Sequence, residues 1–485
     1  MTFHPDRPLL PILMAGLLAA CASPAPARPA GAAPVADPAP AGEPDVLALL
    51  TAGAEALSAD DPALAAAFLD RAVAAGADDA TAHFLRGLAH LHLGQLDEAR
   101  LALATAVERD PADVSARCVL ARALHLAGDA PAALAQLDLA LERAPDDARL
   151  HTLAGHVALD LLDAQRAMEE LSRAIELDPD DADAHRGLAL LFADLGDAAR
   201  AELFWREAAR LHPDDALLHS GLGHALRDQG RDEEALEAYG AALQLEPDDA
   251  VHHANVASTL TALGRNTAAR RSYEQSIVRL PGGGPRRAYV LFGLSMLLDS
   301  GGDLDAAREA LEDALADDPE LAPAHQALGL LLLDSGDERG ARRHLAAALD
   351  LGELTAEAAC QLALLSDRAG AGDAALRCAD LLASAAADSP DVAFRRAQLL
   401  VAVRDPRLHD PAEALAILQG LRARPGQQES APLWSLTAQA LADLGAWEAA
   451  LDAVDRALAS QEPGAPAWRR DRELRTQYLA RLDEP

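Results

Sequence analysis

Six histidines stand at corresponding places in this 485-residue chain: His83, His151, His185, His219, His253 and His325. Imidazoles in register could ligate a transition metal or relay protons. A metal-binding helix face needs two histidines about four residues apart, however, and no pair in the chain has that spacing. Aspartate pairs recur as well, at Asp146-Asp147, Asp180-Asp181, Asp214-Asp215 and Asp248-Asp249. A calcium loop would need about six or more converging oxygens. A pair placed where a helix begins serves more simply, capping exposed N–H groups and opposing the positive helix end. Cys118, Cys360 and Cys378 are expected as free buried thiols, with a Cys360–Cys378 disulfide as the alternative. Neither His-Glu-x-x-His nor Gly-x-Ser-x-Gly occurs. No catalytic residue, cofactor or metal site is expected.

Charge narrows the partners. The chain has 42 basic residues, all arginine, against 77 acidic ones, for a net charge of −35. Nucleic acid and anionic membrane surfaces would be repelled. The absence of lysine excludes Schiff-base chemistry, a pyridoxal anchor and a phosphate-binding P-loop lysine. Half the residues are hydrophobic but only 3% are aromatic, so Ala, Leu and Val must build the core, in helices.

The elements that position these side chains repeat. Pro111, Pro145, Pro179, Pro213, Pro247 and Pro281 fall every 34 residues, and so do Ala99, Ala133, Ala167, Ala201, Ala235 and Ala269. Copies begin at 46, 80, 114, 148, 182, 216 and 250. After a Gly-Gly-Gly-Pro-Arg-Arg insertion at 282–287 they resume at 288, 322 and 356. A degenerate copy near 391 carries an insertion around Arg404 to Asp410, and the last copy begins at 431. Each copy holds two amphipathic helices, broken at a glycine such as Gly128, Gly196 or Gly230 and ended by the proline. Small residues at Gly223, Ala235 and Ala242 let the paired backbones approach closely.

A period of 34 with small residues at repeat positions 8, 20 and 27 and Pro at 32 resembles the tetratricopeptide repeat. Residues 216–249 carry the pattern most clearly, through Leu222, Gly223, Gly230, Ala235, Tyr239, Ala242 and Pro247. The resemblance implies an all-α, right-handed α-solenoid of about twelve helix pairs over 46–464. Residues 465–485, with Trp468 and Tyr478, are expected as a terminal capping helix. The recurrent histidines occupy repeat position 4, which holds a large buried ring in this family, so they are expected to pack.

Residues 1–20 read as a signal peptide, with an apolar run from Leu9 to Ala20 that is too short to span a bilayer. Leu18-Ala19-Ala20-Cys21 resembles the lipobox of bacterial lipoproteins, which implies cleavage before Cys21 and acylation of that residue. The Ala/Pro-rich stretch that completes 21–45 is then a tether. Ala22 after the cysteine implies the outer membrane, facing the periplasm, with the Cys21 lipid as the only membrane contact.

Helical arithmetic places repeat positions 4, 7, 8 and 11 on the packed side and 2, 5, 9 and 12 opposite them. In the family those opposite positions line a concave groove. Here they are Arg186, Ser220, His224, Arg227, Ser258 and Thr261, with Asn255 beside them, then Tyr289, Phe292, Met296, Gln326, Leu330 and Leu333. The resemblance implies a protein or peptide partner of the cell envelope, in pilus, secretin or outer-membrane assembly. A scaffold of exopolysaccharide export, contacting glycan or glycosyltransferase, is the alternative. Glycan grooves favour exposed Trp and Tyr, and the chain has four of each.

Overall fold

A computed structural model describes residues 45–385, 389–424 and 430–482. The signal segment, Cys21 and nearly all of the tether lie outside the described residues. The chain forms two compact units, divided between Pro247 and Asp248.

The first unit holds α1 (Val46–Ser58), α2 (Pro62–Ala74), α3 (Ala80–His92), α4 (Leu96–Arg109), α5 (Val114–Leu126), α6 (Ala130–Leu141), α7 (Ala148–Asp160), α8 (Ala164–Leu177), α9 (Ala182–Asp194), α10 (Ala198–Leu211), α11 (Ala216–Asp228) and α12 (Asp232–Leu245). The second unit opens with α13 (Ala250–Ala262), α14 (Asn266–Val278), α15 (Pro285–Ser300), α16 (Leu304–Asp317), α17 (Ala322–Asp334) and α18 (Glu338–Asp350). It continues with α19 (Ala356–Arg368), α20 (Gly372–Ala385), α21 (Pro390–Ala402), α22 (Pro411–Arg422), α23 (Ala431–Asp443), α24 (Trp447–Ala459) and α25 (Pro466–Leu482). Within each unit consecutive helices pair and each pair stacks on the next, the all-helical solenoid arrangement that the repeats imply. Among the described residues no helix is long and apolar enough to cross a membrane.

Local chemistry explains the helix boundaries. The second aspartate of each pair is a cap: Asp147 accepts from Arg149 N at 3.1 Å, Asp181 from Ala184 N at 3.0 Å, Asp215 from Leu217 N at 2.9 Å and Asp249 from Val251 N at 2.7 Å. In eleven of the twelve repeats the chain turns between the two helices through one left-handed residue, such as Gly196 at φ 74° or Gly230 at φ 73°. One insertion behaves differently from expectation. Pro285, Arg286 and Arg287 do not stay outside the repeat but extend α15 by a turn, because Pro285 suits the first helical position and Gly284 supplies the φ of 93° before it. The second insertion stays a loop, held by the Asp367 carboxylate, which accepts from Arg404 N and Asp405 N at 2.9 Å each.

The repeat signal and the packing coincide. All twelve alanines at position 20 are fully buried: Ala65, Ala99, Ala133, Ala167, Ala201, Ala235, Ala269, Ala307, Ala341, Ala375, Ala414 and Ala450. Small residues at position 8 receive a large side chain from the partner helix. A Cβ on Gly223 would lie 2.7 Å from the Tyr239 ring, and one on Gly155 would lie 2.4 Å from Leu171. Neither contact could be tolerated without a shift of the pair. At the chain end α25 covers α24 through buried Tyr478, and the fully buried Asp471 accepts from Gln461 Nε2 at 2.7 Å and from Ser435 Oγ.

Ala238 does not face outward, as a simple two-sided reading of α12 suggests; it is buried. Three residues advance about 300° around a helix, so Ala238 stays within about 60° of Ala235. Glu237, roughly 200° from Ala235, is the exposed control. Ala235→Leu is therefore expected to destabilise the first unit by roughly 1–3 kcal/mol through overpacking, with Glu237→Leu near neutral. Urea melts of the two variants make the comparison, and equal effects would place α12 in a different register.

Candidate functional site

The first helix of each repeat carries the residues expected to line a groove, and each unit places its own set. In the first unit Arg186 on α9 is not exposed, as expected for a ligand-facing cation, but only 8% accessible. Its Nη2 pairs with Asp183 Oδ1 at 2.8 Å one turn back on the same helix. Ser220 on α11 is buried as well. His224 is half-buried and shares a 2.8 Å hydrogen bond between its Nδ1 and the Tyr239 hydroxyl on α12. Arg227 is half-buried one turn further on. The side chains that stack over these positions come from neighbouring repeats, so angular position on one helix cannot report how deeply they sit.

In the second unit Asn255 is buried, whereas Ser258 and Thr261 are half-buried. Gln326 is partly committed, since its Oε1 accepts from Thr355 N at 2.8 Å. The apolar members behave otherwise. Tyr289, Phe292 and Met296 follow one another at intervals of three and four on α15 and so share a face. Tyr289 is 42% accessible and Met296 49%, while Phe292 between them rests on the core together with Leu330 and Leu333 of α17. This face is an apolar stripe beyond what the unit's own core covers.

The recurrent histidines have a role that their packing position does not announce. His151, His185, His219 and His325 each donate from Nε2 to the carbonyl of a proline six residues earlier, Pro145, Pro179, Pro213 and Pro319, at 2.9–3.0 Å. Arg117 does the same to Pro111, from Nη2 at 3.0 Å. The proline carbonyl sits in the turn between repeats, beyond the helix donors, and the position-4 side chain supplies the missing N–H. His83 instead reaches Asp78 at 3.1 Å. The fixed spacing of six between Pro and His was the available signal. Among the described residues no group of three or more His, Cys, Asp or Glu side chains is placed to hold a metal. Cys118, Cys360 and Cys378 form no disulfide; Cys118 is half-buried, and burial pushes the Cys360 and Cys378 thiols up to about 11 and about 12.

One buried imidazole links the first unit to acid. His156 on α7 donates from Nε2 to Asp183 O at 3.1 Å, and its Nδ1 has no partner. Burial, then the neighbouring Arg186 guanidinium, push its pKa down to about 4. The folded state thus takes up the proton later than the unfolded chain, whose value lies near 6.5. The associated stability is complete above pH 6.5 and is lost as pH falls towards 4, by roughly 3 kcal/mol in all. Amide protection factors across α7, which take out the fall of intrinsic exchange with pH, should decrease between pH 6.5 and 4.5 in the wild type, and His156→Leu should flatten that dependence. An unchanged slope would remove His156 from the account.

Family models for the TPR repeat match residues 164–196 and 223–264, and models for the tetratricopeptide repeat match 50–113, 93–148 and 256–322. Every matched segment falls on helix pairs of the two units. These stretches are tetratricopeptide repeats. No curated protein matches the chain by sequence. Solved structures with similarity include the crystal structure of MamA protein, 23% identical over 35% of this chain and 92% of that one, at a TM-score of 0.32. Another is YrrB, described as a TPR protein with an unusual peptide-binding site, 22% identical over 38% of this chain and 95% of that one, at 0.34. PilW, described as a widely conserved type IV pilus biogenesis factor, is 17% identical over 44% of this chain and 96% of that one, at 0.38. Within the matched stretches the repeats account for Ala65, Ala99, Ala133, Ala167, Ala235, Ala269 and Ala307 at position 20 and for the paired helices that carry the α15 stripe.

Proposed function

We propose that this chain is a non-catalytic, lipid-anchored tetratricopeptide scaffold whose first-helix faces hold a peptide or helix of a cell-envelope protein. The stripe of Tyr289, Phe292 and Met296 on α15 carries the reading. Large apolar side chains at three-and-four spacing, two of them more than 40% accessible, are what a partner helix or extended peptide buries. The half-buried Ser258 and Thr261 on α13 add polar groups in the same unit that could orient a main chain. Anchoring rests on the run ending at Cys21, and the envelope pathway on the same segment: a lipoprotein facing the periplasm would meet assembly partners there.

Fractionation tests the anchor. Cys21→Ser is expected to move the protein from the membrane fraction to the soluble periplasm with its helical circular-dichroism signal unchanged. A wild-type protein already soluble would overturn the anchored reading. A photo-crosslinking residue at position 296, in the intact lipoprotein, tests the stripe. An envelope protein should be captured there and not from position 308, on the exposed face of α16.

A further inference from the structure

In nine repeats the left-handed residue between the two helices is glycine, with φ between 69° and 88°. In the first repeat it is Asp60 at φ 56°, a residue type that tolerates this region. In the fourth it is Leu162 at φ 57°, a conformation in which a leucine Cβ crowds the backbone. Burial does not compensate. Leu162 is 89% accessible, so the side chain contributes little to the core while straining the turn. Its surroundings repeat the same design. Asp160-Leu161-Leu162-Asp163 ends α7, and Asp194-Leu195-Gly196-Asp197 ends α9 in the next repeat. Leu195 is 58% accessible, and α7 and α9 pack against each other, so the two turns lie on one edge of the first unit. Each turn thus shows leucine between two carboxylates. Part of this acid is engaged: Asp160 Oδ2 bonds His125 Nε2 at 2.5 Å, and Asp197 pairs at 2.5 Å with Arg200, which is stacked 4.2 Å from the Phe192 ring centroid. Arg166 is engaged elsewhere, with Asp138 and Glu170, so Asp163 and Asp194 carry the uncompensated charge.

We propose that this edge, with Leu161, Leu162 and Leu195 set among Asp160, Asp163, Asp194 and Asp197, is a docking surface for a cationic amphipathic helix of a partner protein. Apolar anchors flanked by acid call for a partner with the complementary pattern, leucine-like side chains flanked by Lys or Arg. A second copy of this chain is a poor occupant, because it carries the same charge of −35 and no lysine. The surface is separate from the α15 stripe, which lies in the other unit.

The test uses two labelled 14-residue peptides of equal charge, a Leu/Lys helix with leucines at three-and-four spacing and a Ser/Lys control. The Leu/Lys peptide is expected to bind the full chain in a salt-sensitive manner and at least fivefold more weakly to Leu162→Asn and to Leu195→Asn. Leu101→Asn, at an equally exposed leucine away from these turns, should bind as wild type. Leu162→Gly should lose binding equally while melting at or above the wild-type temperature, since glycine relieves the strained φ. Because the chain has no lysine to compete, a carbodiimide should join the peptide's lysines to Asp160, Asp163, Asp194 or Asp197. Equal binding by all variants, equal binding of the two peptides, or crosslinks confined to other carboxylates would each overturn the proposal. Phe292→Ala should leave this binding intact, which separates it from the groove.

Discussion

Tyr239→Ala is expected to cost the first unit about 3–5 kcal/mol, the range for emptying the site of a fully enclosed aromatic side chain. Among the described residues Tyr239 is the largest fully buried side chain, and its ring lies against Gly223, the small residue that lets α11 and α12 approach. Removing the ring leaves a cavity that the two helices can close only by shifting as a pair. The same variant also removes the hydroxyl that bonds His224 Nδ1 at 2.8 Å. Tyr239→Phe isolates that smaller contribution and should cost about 1 kcal/mol. Because stacked repeats couple mainly to their neighbours, amide exchange should rise first in α11 and α12. If Tyr239→Ala melted with the wild type, the close packing of this repeat would be wrong.

The second large effect is on binding. Phe292→Ala is expected to weaken the captured partner by roughly 1–3 kcal/mol, about five- to 150-fold in Kd. Phe292 lies at the centre of the stripe, resting on the core while its neighbours Tyr289 and Met296 are open to solvent. A central, well-supported aromatic is where binding energy concentrates. The control must come from the same unit and an outward face. Arg308→Ala on α16 is suitable, since Arg308 pairs only locally with Glu312 at 2.8 Å and both are exposed. Arg206, a natural first choice for a silent outer-face change, is unsuitable. It pairs at 2.5 Å with Glu202, a buried carboxylate that also accepts from Gln229 at 2.8 Å and Arg231 at 2.6 Å. Burial raises the Glu202 pKa, yet those three donors together hold it below the usual value, so Arg206→Ala would disturb a stabilised charge. Loss of partner affinity on the Arg308 change with none on Phe292 would reject the stripe.

Much of the architecture was legible in the sequence because the decisive constraints act over short distances. Close helix pairing excludes anything larger than Ala or Gly at fixed positions, so Ala235 and Gly223 wrote the register into the chain. The aspartates that cap helices act two or three residues away, and the glycines between helices act at their own φ. Side chains whose surroundings come from other repeats were not legible in this way. Arg186, Ser220 and Asn255 occupy the face that arithmetic assigns to a groove, yet neighbouring helices bury them. The stripe on α15 emerged as open only from the accessibility that Tyr289 and Met296 keep in the packed unit. Pro247 ends its repeat like every other proline, so nothing local marks the division of the chain into two units. Leu162 is one residue in a repeat, and only its left-handed φ and its exposure show it to be out of place. Period, register and caps follow from the sequence because each depends on one helix and its immediate partner. Burial, exposure and the division into units depend on how many such pairs converge on a point, and that is a property of the tertiary structure alone.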